Sequence, residues 1–291
     1  MNVLKPASLG KPSTESLTFI NSVNRAGYIL RLVAFLFQLK FLRKRRSINS
    51  FSIDSLILCI IAESLSFGIY GIQYKLLRIP NDEYKNRYPL LFTAGQNYPT
   101  VSTLSSVINF FIVVTLLLTL KQYLRMIKTE NIFQGASKTM ALYITIVFST
   151  TFIVKAISIT KTNVKYNFNR CDYNELVIFI KTYFIDSVFL VPQVSLSFMS
   201  QSCSGTSELY IYLLSLSSII CIYANWLFYS DESLYKGWYL IDINSISLFS
   251  SLIHLFCCCL LILQMMFAYK NYKSVVPLKI DAIEDKKSRC D

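Results

Sequence analysis

The stretch that decides the fold reads Val191-Pro192-Gln193, then a polar run, then Ser202-Cys203-Ser204-Gly205-Thr206-Ser207. An earlier stretch repeats the layout: Leu36-Phe37-Gln38, a basic run, then Ser47-Ile48-Asn49-Ser50-Phe51-Ser52. In both copies the first serine follows the glutamine by nine positions, 47 − 38 and 202 − 193. The two S-x-x-[G/S]-x-S tails then align without a gap. Each copy follows one apolar segment and leads into another. A duplicated helix–loop–helix of this kind points to a membrane protein built from internal repeats, an architecture common among transporters.

Composition agrees with a membrane chain. Of 291 residues, 53% are hydrophobic and 16% charged, against about 25% charged in soluble domains. The run from Val101 to Leu120 carries no charge, which meets the length a helix needs to cross a bilayer core. The net charge of +12 does not imply nucleic acid. Its basic residues flank apolar segments, at Arg43 to Arg46, Lys121 to Lys128 and Lys286 to Arg289, as cytosolic loops of membrane proteins do. The eight cysteines include no C-x-x-C, and Cys257-Cys258-Cys259 lies in an apolar run. They read as small buried residues rather than as metal ligands or disulfides. The first two dozen residues lack the apolar core of a secretory leader.

Seven membrane segments are predicted, near 26–42, 52–73, 101–120, 140–160, 176–199, 207–228 and 246–269. Lysine and arginine cluster after the first, third and seventh, which places the N-terminus in the lumen or outside and the C-terminus in the cytosol. The repeat divides the chain three plus one plus three. A polar lumenal tail (1–25) precedes the first three-helix repeat (26–122). A linker helix (139–161) joins it to the second three-helix repeat (174–269), and a basic cytosolic tail (270–291) follows. The fold class is therefore an all-α membrane protein, with parallel repeats related by an axis along the membrane normal.

Several residues could carry function. Pro192 removes a backbone hydrogen bond inside segment five and kinks it, and Gln193 beside it can supply an amide. The pair reads as a hinge with a polar grip, or as a kink without motion. Ionisable residues inside a membrane are functional candidates by default. Glu63, Asp186 and His254 fall within segments two, five and seven. Glu63 and Asp186 either face a wet cavity, pair with a cation such as Lys181, or stay protonated. His254 can titrate near neutrality or simply hydrogen-bond in the packing. Asp54 and Glu208 open segments two and six, where a carboxylate also complements the helix dipole. Lys155 and Lys181 can snorkel towards an interface. The aromatic groups Asn225 to Tyr229 and Trp238-Tyr239 read as an interfacial belt. No phosphate loop, catalytic triad or metal cluster is present, so neither enzymatic activity nor a cofactor is expected.

At the paired glutamine motifs the chain resembles the PQ-loop family, which includes cystinosin and vacuolar amino acid exporters. Pro192, Gln193, Ser202, Gly205 and Ser207 match its P-Q-x₈-S-x-x-G-x-S repeat in full; Gln38, Ser47 and Ser52 match in part. The resemblance implies seven helices in a three-one-three arrangement with a lumenal N-terminus. It implies a proton-linked carboxylate at Asp54, because Ser52-Ile53-Asp54 is similar to a Ser-Phe-Asp of cystinosin-like members. The chain departs from the family at Phe37, Ser50 and Leu213, where a proline, a glycine and an aspartate would stand. An acid placed like Asp186 also occurs in the phospholipid scramblase branch and in the related KDEL-retrieval receptors, to which Asn225-Trp226 is similar too. The receptors' signal-binding arginines have no evident counterpart in segments two and six.

Three functions follow as expectations. The first is transport of a small polar solute, such as an amino acid, across an endomembrane of vacuole or Golgi type. The second is phospholipid scrambling or trafficking in Golgi or endosomes. The third is a receptor or scaffold without transport. Membrane lipid and a small solute are the expected partners, and nucleic acid is not.

Overall fold

The computed structural model describes residues 14–45, 51–76, 103–130, 137–160, 176–230 and 247–269. Among these residues every regular element is helical and there is no strand. The elements are α1 (Thr14–Arg45), α2 (Ile53–Ser66, continuing through the π-helical Phe67–Leu76), α3 (Thr103–Glu130) and α4 (Lys138–Thr160). They are followed by α5 (Leu176–Met199), α6 (Glu208–Ser230) and α7 (Leu248–Leu263, with a π-helical end at Gln264–Ala268). The stretch after α2 (77–102), the loop after α6 (231–246) and the tail from 270 lie outside the described residues, as do Ser47 and Ser50 of the first motif.

Among the described residues four helices are long and apolar enough to cross a membrane: Thr103–Ile127, Leu176–Met199, Glu208–Leu227 and Leu248–Ala268. The chain is thus a multi-pass membrane protein. Its exterior agrees, because Leu117, Leu142, Ile146, Phe256 and Leu263 face outward. Its interior holds Asn, Gln, Ser, Arg, Glu and Asp. Lipid solvates the apolar rim, so packing between helices depends on small side chains and internal polar bonds.

Two element boundaries differ from the sequence reading. α1 begins at Thr14, so residues 14–25 are helical rather than part of a polar tail. α3 runs ten residues beyond the apolar run that ends at Leu120, to Glu130. In both cases the apolar stretch marks only part of a longer helix, whose polar turns carry the same backbone ladder.

Helix starts follow local chemistry. Ser52 has extended backbone (φ −81°, ψ 117°) and its side chain accepts from Ser55 N, capping α2; Ser247 accepts from Ser250 N and caps α7. Such caps satisfy N–H groups that have no partner within the helix. α5 ends in a Schellman turn: Gln201 N donates to Phe198 O and Ser202 N to Ser197 O, with Gln201 at φ 48°.

α1 packs against α3 and α6, α2 against α3 and α5, and α7 against α6 and α5. α4 makes sparser contacts, burying Met140 and Val147. The α1–α6 crossing is close because both faces are small. Ser217 Oγ donates to Gly27 O at 2.7 Å, and a Cβ on Gly27 would stand 2.7 Å from Cys221 Sγ. The C-terminal ends of α1, α5 and α7 and the starts of α2, α4 and α6 meet at one end of the bundle, as the contacts Gln38–Ser207, Ser52–Gln193, Asp54–Ser137 and Gln264–Val194 require.

Candidate functional site

The two motifs touch each other. Gln38 Nε2 donates to Gly205 O at 2.9 Å, and Gln38 Oε1 accepts from Ser207 N at 2.9 Å. Gln193 Oε1 accepts from Ser52 N at 2.8 Å, and Gln193 Nε2 donates to Ser197 Oγ at 3.1 Å. Ser52 lies fourteen residues after Gln38, and Ser207 fourteen after Gln193. Each glutamine therefore holds the serine amide of the other motif. Both glutamines are buried, where an amide side chain must find partners. The serine amides open α2 and α6, so each bridge also satisfies an N–H that its own helix cannot.

Some two turns further into the bundle lies a buried ion cluster. Arg31 Nη2 stands 2.9 Å from Glu63 Oε1 and 2.9 Å from Asp186 Oδ1. All three side chains are almost wholly buried. The guanidinium also lies 5.1 Å from the ring centre of Phe189 and 6.0 Å from that of Phe35, within cation–π range. Lys181 is buried on α5 close enough to act electrostatically on both acids. Two carboxylates thus face two cations, so the cluster can sit near neutrality inside the membrane. Asp186 Oδ2 has no donor and Arg31 Nε no acceptor within the protein, and the cluster retains unused capacity for a polar guest.

The acid of α5 sits where that helix is broken. Lys181–Asp186 is π-helical, residues 187–190 form a turn, and regular helix resumes at Val191 with Pro192 in its first turn. Proline is tolerated there because that N–H has no partner to lose. The kink predicted at Pro192 is therefore spread over the preceding turns. Carbonyls of this stretch accept from neighbouring helices: Ser250 Oγ donates to Thr182 O at 2.9 Å, a carbonyl that also accepts from Ser187 N, Tyr143 OH donates to Phe184 O, and His254 Nε2 lies 2.6 Å from Asp186 O. A broken helix in lipid persists only when its carbonyls are satisfied in this way. His254 also packs edge-on against Phe189, which gives it a packing and backbone-capping role.

The cluster gathers Glu63, Asp186 and His254, as well as Lys181. It leaves out Asp54, whose Oδ1 accepts from Ser137 N at 3.0 Å at the start of α4. The carboxylate suggested by the resemblance for proton linkage caps a neighbouring helix at the bundle end. Glu208 is exposed in the first turn of α6. The side chain of Lys155 lies outside the described residues. Pairing with a cation such as Lys181 is one of the options the sequence offers for the two acids; the cation that bonds them is Arg31, which lies near one end of predicted segment one (26–42). Because α1 is longer, Arg31 falls near its middle. The repeat register was the signal, since Arg31 and Asp186 occupy the same place in their respective copies.

Between the motifs and the ion cluster lies a small cavity of about 10 Å³ bounded by Phe35, Gln38, Cys59, Phe189, Gln193 and Tyr210. It has room for about one water. Among the described residues no group of three or more His, Cys, Asp or Glu is placed to hold a metal ion. No family model and no characterised protein matches this chain in sequence.

Proposed function

We propose that this chain is a PQ-loop-type carrier. Seven helices cross the membrane in two three-helix halves, α1–α3 and α5–α7, with α4 as linker. The carrier moves a small polar solute such as an amino acid across an endomembrane, with its N-terminus lumenal and its C-terminus cytosolic. The observation that carries the reading is the Arg31–Glu63–Asp186 cluster, which joins α1 and α2 to α5 at mid-bundle. Buried charge of this kind destabilises a membrane protein unless it is fully compensated. Retention of such groups at the seam between two halves fits a centre that exchanges its partners as the halves move. The glutamine bridges and the 10 Å³ cavity beside them fit a closed state. The packing of α1 with α3 and α6, and of α7 with α6 and α5, fits the three-one-three division.

Flux of labelled amino acids into proteoliposomes tests the reading. Wild type is expected to exceed empty vesicles, and Asp186→Asn to reduce that flux at least tenfold by removing one charge of the centre. Flux equal to empty vesicles for wild type, across a panel of polar solutes, would overturn it. Fractionation of a tagged copy among vacuole, Golgi and plasma membrane tests the location.

A further inference from the structure

At the motif end of the bundle lies a second, much larger cleft, of about 670 Å³, between α1, the α5–α6 loop and the facing ends of α6 and α7. Its walls include Phe41, Ser202, Thr206, Glu208, Tyr212 and Tyr269. The surrounding end of the protein is strongly basic: Lys40, Arg43, Lys44, Lys121, Arg125 and Lys138 are all exposed there. Against that background the cleft stands out, because among the described residues no lysine or arginine lines it. Among the described residues, the charged side chain in its wall is the carboxylate of Glu208.

The hydroxyl groups of the loop reinforce this polarity. Ser202 Oγ donates to Ser204 Oγ at 3.1 Å, and Thr206 Oγ1 donates to Cys203 O at 3.0 Å. Ser202 Oγ also accepts from Ser204 N at 3.2 Å, which leaves it one further lone pair. Hydroxyls that give their protons to the loop offer lone pairs to whatever enters the cleft. Three aromatic rings, whose faces carry negative potential, complete the wall. Carboxylate, lone pairs and ring faces all attract positive charge, while Leu209 and Met265 supply apolar surface.

We propose that this cleft binds an ammonium group. Glu208 balances the charge, and Phe41, Tyr212 and Tyr269 surround the cation. An ammonium can come from a phospholipid headgroup, ethanolamine or choline, reaching the cleft from the bilayer surface. It can also come from a soluble amine. The shared chemistry is the same. The site is separate from the ion cluster and does not rest on the transport reading.

Native mass spectrometry of the full chain in micelles, supplied with equal phosphatidylethanolamine, phosphatidylcholine and phosphatidylglycerol, tests the lipid source. Titration calorimetry with choline and with ethanolamine tests the soluble one. The readout is the part of binding that depends on Glu208, since the exposed lysines and arginines hold anionic lipid elsewhere. Glu208→Gln is expected to weaken retention of an amine lipid, or binding of a free amine, about tenfold, the change that 1.4 kcal/mol makes. Tyr212→Leu is expected to weaken it in the same assay. Both variants lie outside the ion cluster, and their unfolding temperatures serve as the folding control. Lipid retention that depends on Glu208 assigns the headgroup; free-amine binding that depends on Glu208 assigns the solute. Amine ligands held equally by wild type and both variants, or held by none of them, would overturn the proposal.

Discussion

Arg31 and Asp186 each stand seven residues before the glutamine of their own motif, 38 − 31 and 193 − 186, and meet at 2.9 Å. Equivalent places in two copies of a repeat here carry opposite charges. In a repeat-built bundle such places approach each other across the axis that relates the copies, so one copy supplies the cation and the other the anion. Glu63 then makes a three-membered set whose members are all buried. The two copies differ at the centre, where one supplies a cation and the other an anion, and in their bridges, where Gln38 Nε2 donates to Gly205 O but Gln193 Nε2 to Ser197 Oγ.

Removing one member of this set leaves a buried charge without compensation, which destabilises proteins by about 3–5 kcal/mol. Arg31→Gln is expected to lower the unfolding temperature in detergent more than Asp186→Asn, because Arg31 serves two acids. The double variant Arg31→Gln with Asp186→Asn should lose less than the sum of the single losses, with a coupling of about 1–3 kcal/mol. Additive losses, measured by scanning fluorimetry, would show that the pair carries no interaction.

The glutamine bridges make a local prediction. Gln38→Leu leaves Ser207 N and Gly205 O without a partner, and Gln193→Leu leaves Ser52 N without one. An unpartnered buried group costs about 1–3 kcal/mol. Hydrogen exchange should quicken at the start of α6 in the first variant and at the start of α2 in the second. Each effect falls in the other half of the molecule. Faster exchange confined to the mutated helix would contradict the reciprocal arrangement.

How far the site was legible in the sequence depended on the range of the interaction. The apolar run at 101–120 and the spacing of the two motifs are local or periodic, and both carried through to helices and to a paired feature. Asp186 and Glu63 stood out because short carboxylates cannot reach water from mid-helix. Arg31 did not, because a long side chain near an apparent helix end has a ready solvated alternative, and only the longer α1 removes it. Asp54 matched a family pattern, yet its oxygen is used by Ser137 of α4, a partner 83 residues away that no local pattern encodes. The broken turn before Pro192 was equally hidden. Its carbonyls at Thr182, Phe184 and Asp186 are met by Ser250, Tyr143 and His254 from other helices.

Gly27 tests the close crossing of α1 and α6. An added Cβ would meet Cys221 Sγ at 2.7 Å, nearer than such atoms pack. Gly27→Ala is expected to destabilise by about 1–3 kcal/mol, the range of overpacking substitutions. Cys221→Ala removes the opposing sulfur, so the double variant should recover most of the loss. If Gly27→Ala is equally harmful in the Cys221→Ala background, the contact is not the cause.

Cys203 reports on which side of the membrane the motif end lies. It lines the large cleft and is half-buried, and burial pushes its thiol above the ordinary value of 9.0. The thiolate is the reacting species, so at neutral pH a smaller fraction is reactive than for a free cysteine. In a variant retaining Cys203 alone, labelling by a membrane-impermeant maleimide should be slow at pH 7. It should keep accelerating as pH rises past 9, because each step in pH increases the thiolate fraction until the raised value is passed. In sealed organelles with the cytosolic face outward, the reagent should reach Cys203 before permeabilisation. Labelling only after permeabilisation would reverse the proposed orientation, and a rate that levels off below pH 9 would contradict the buried thiol.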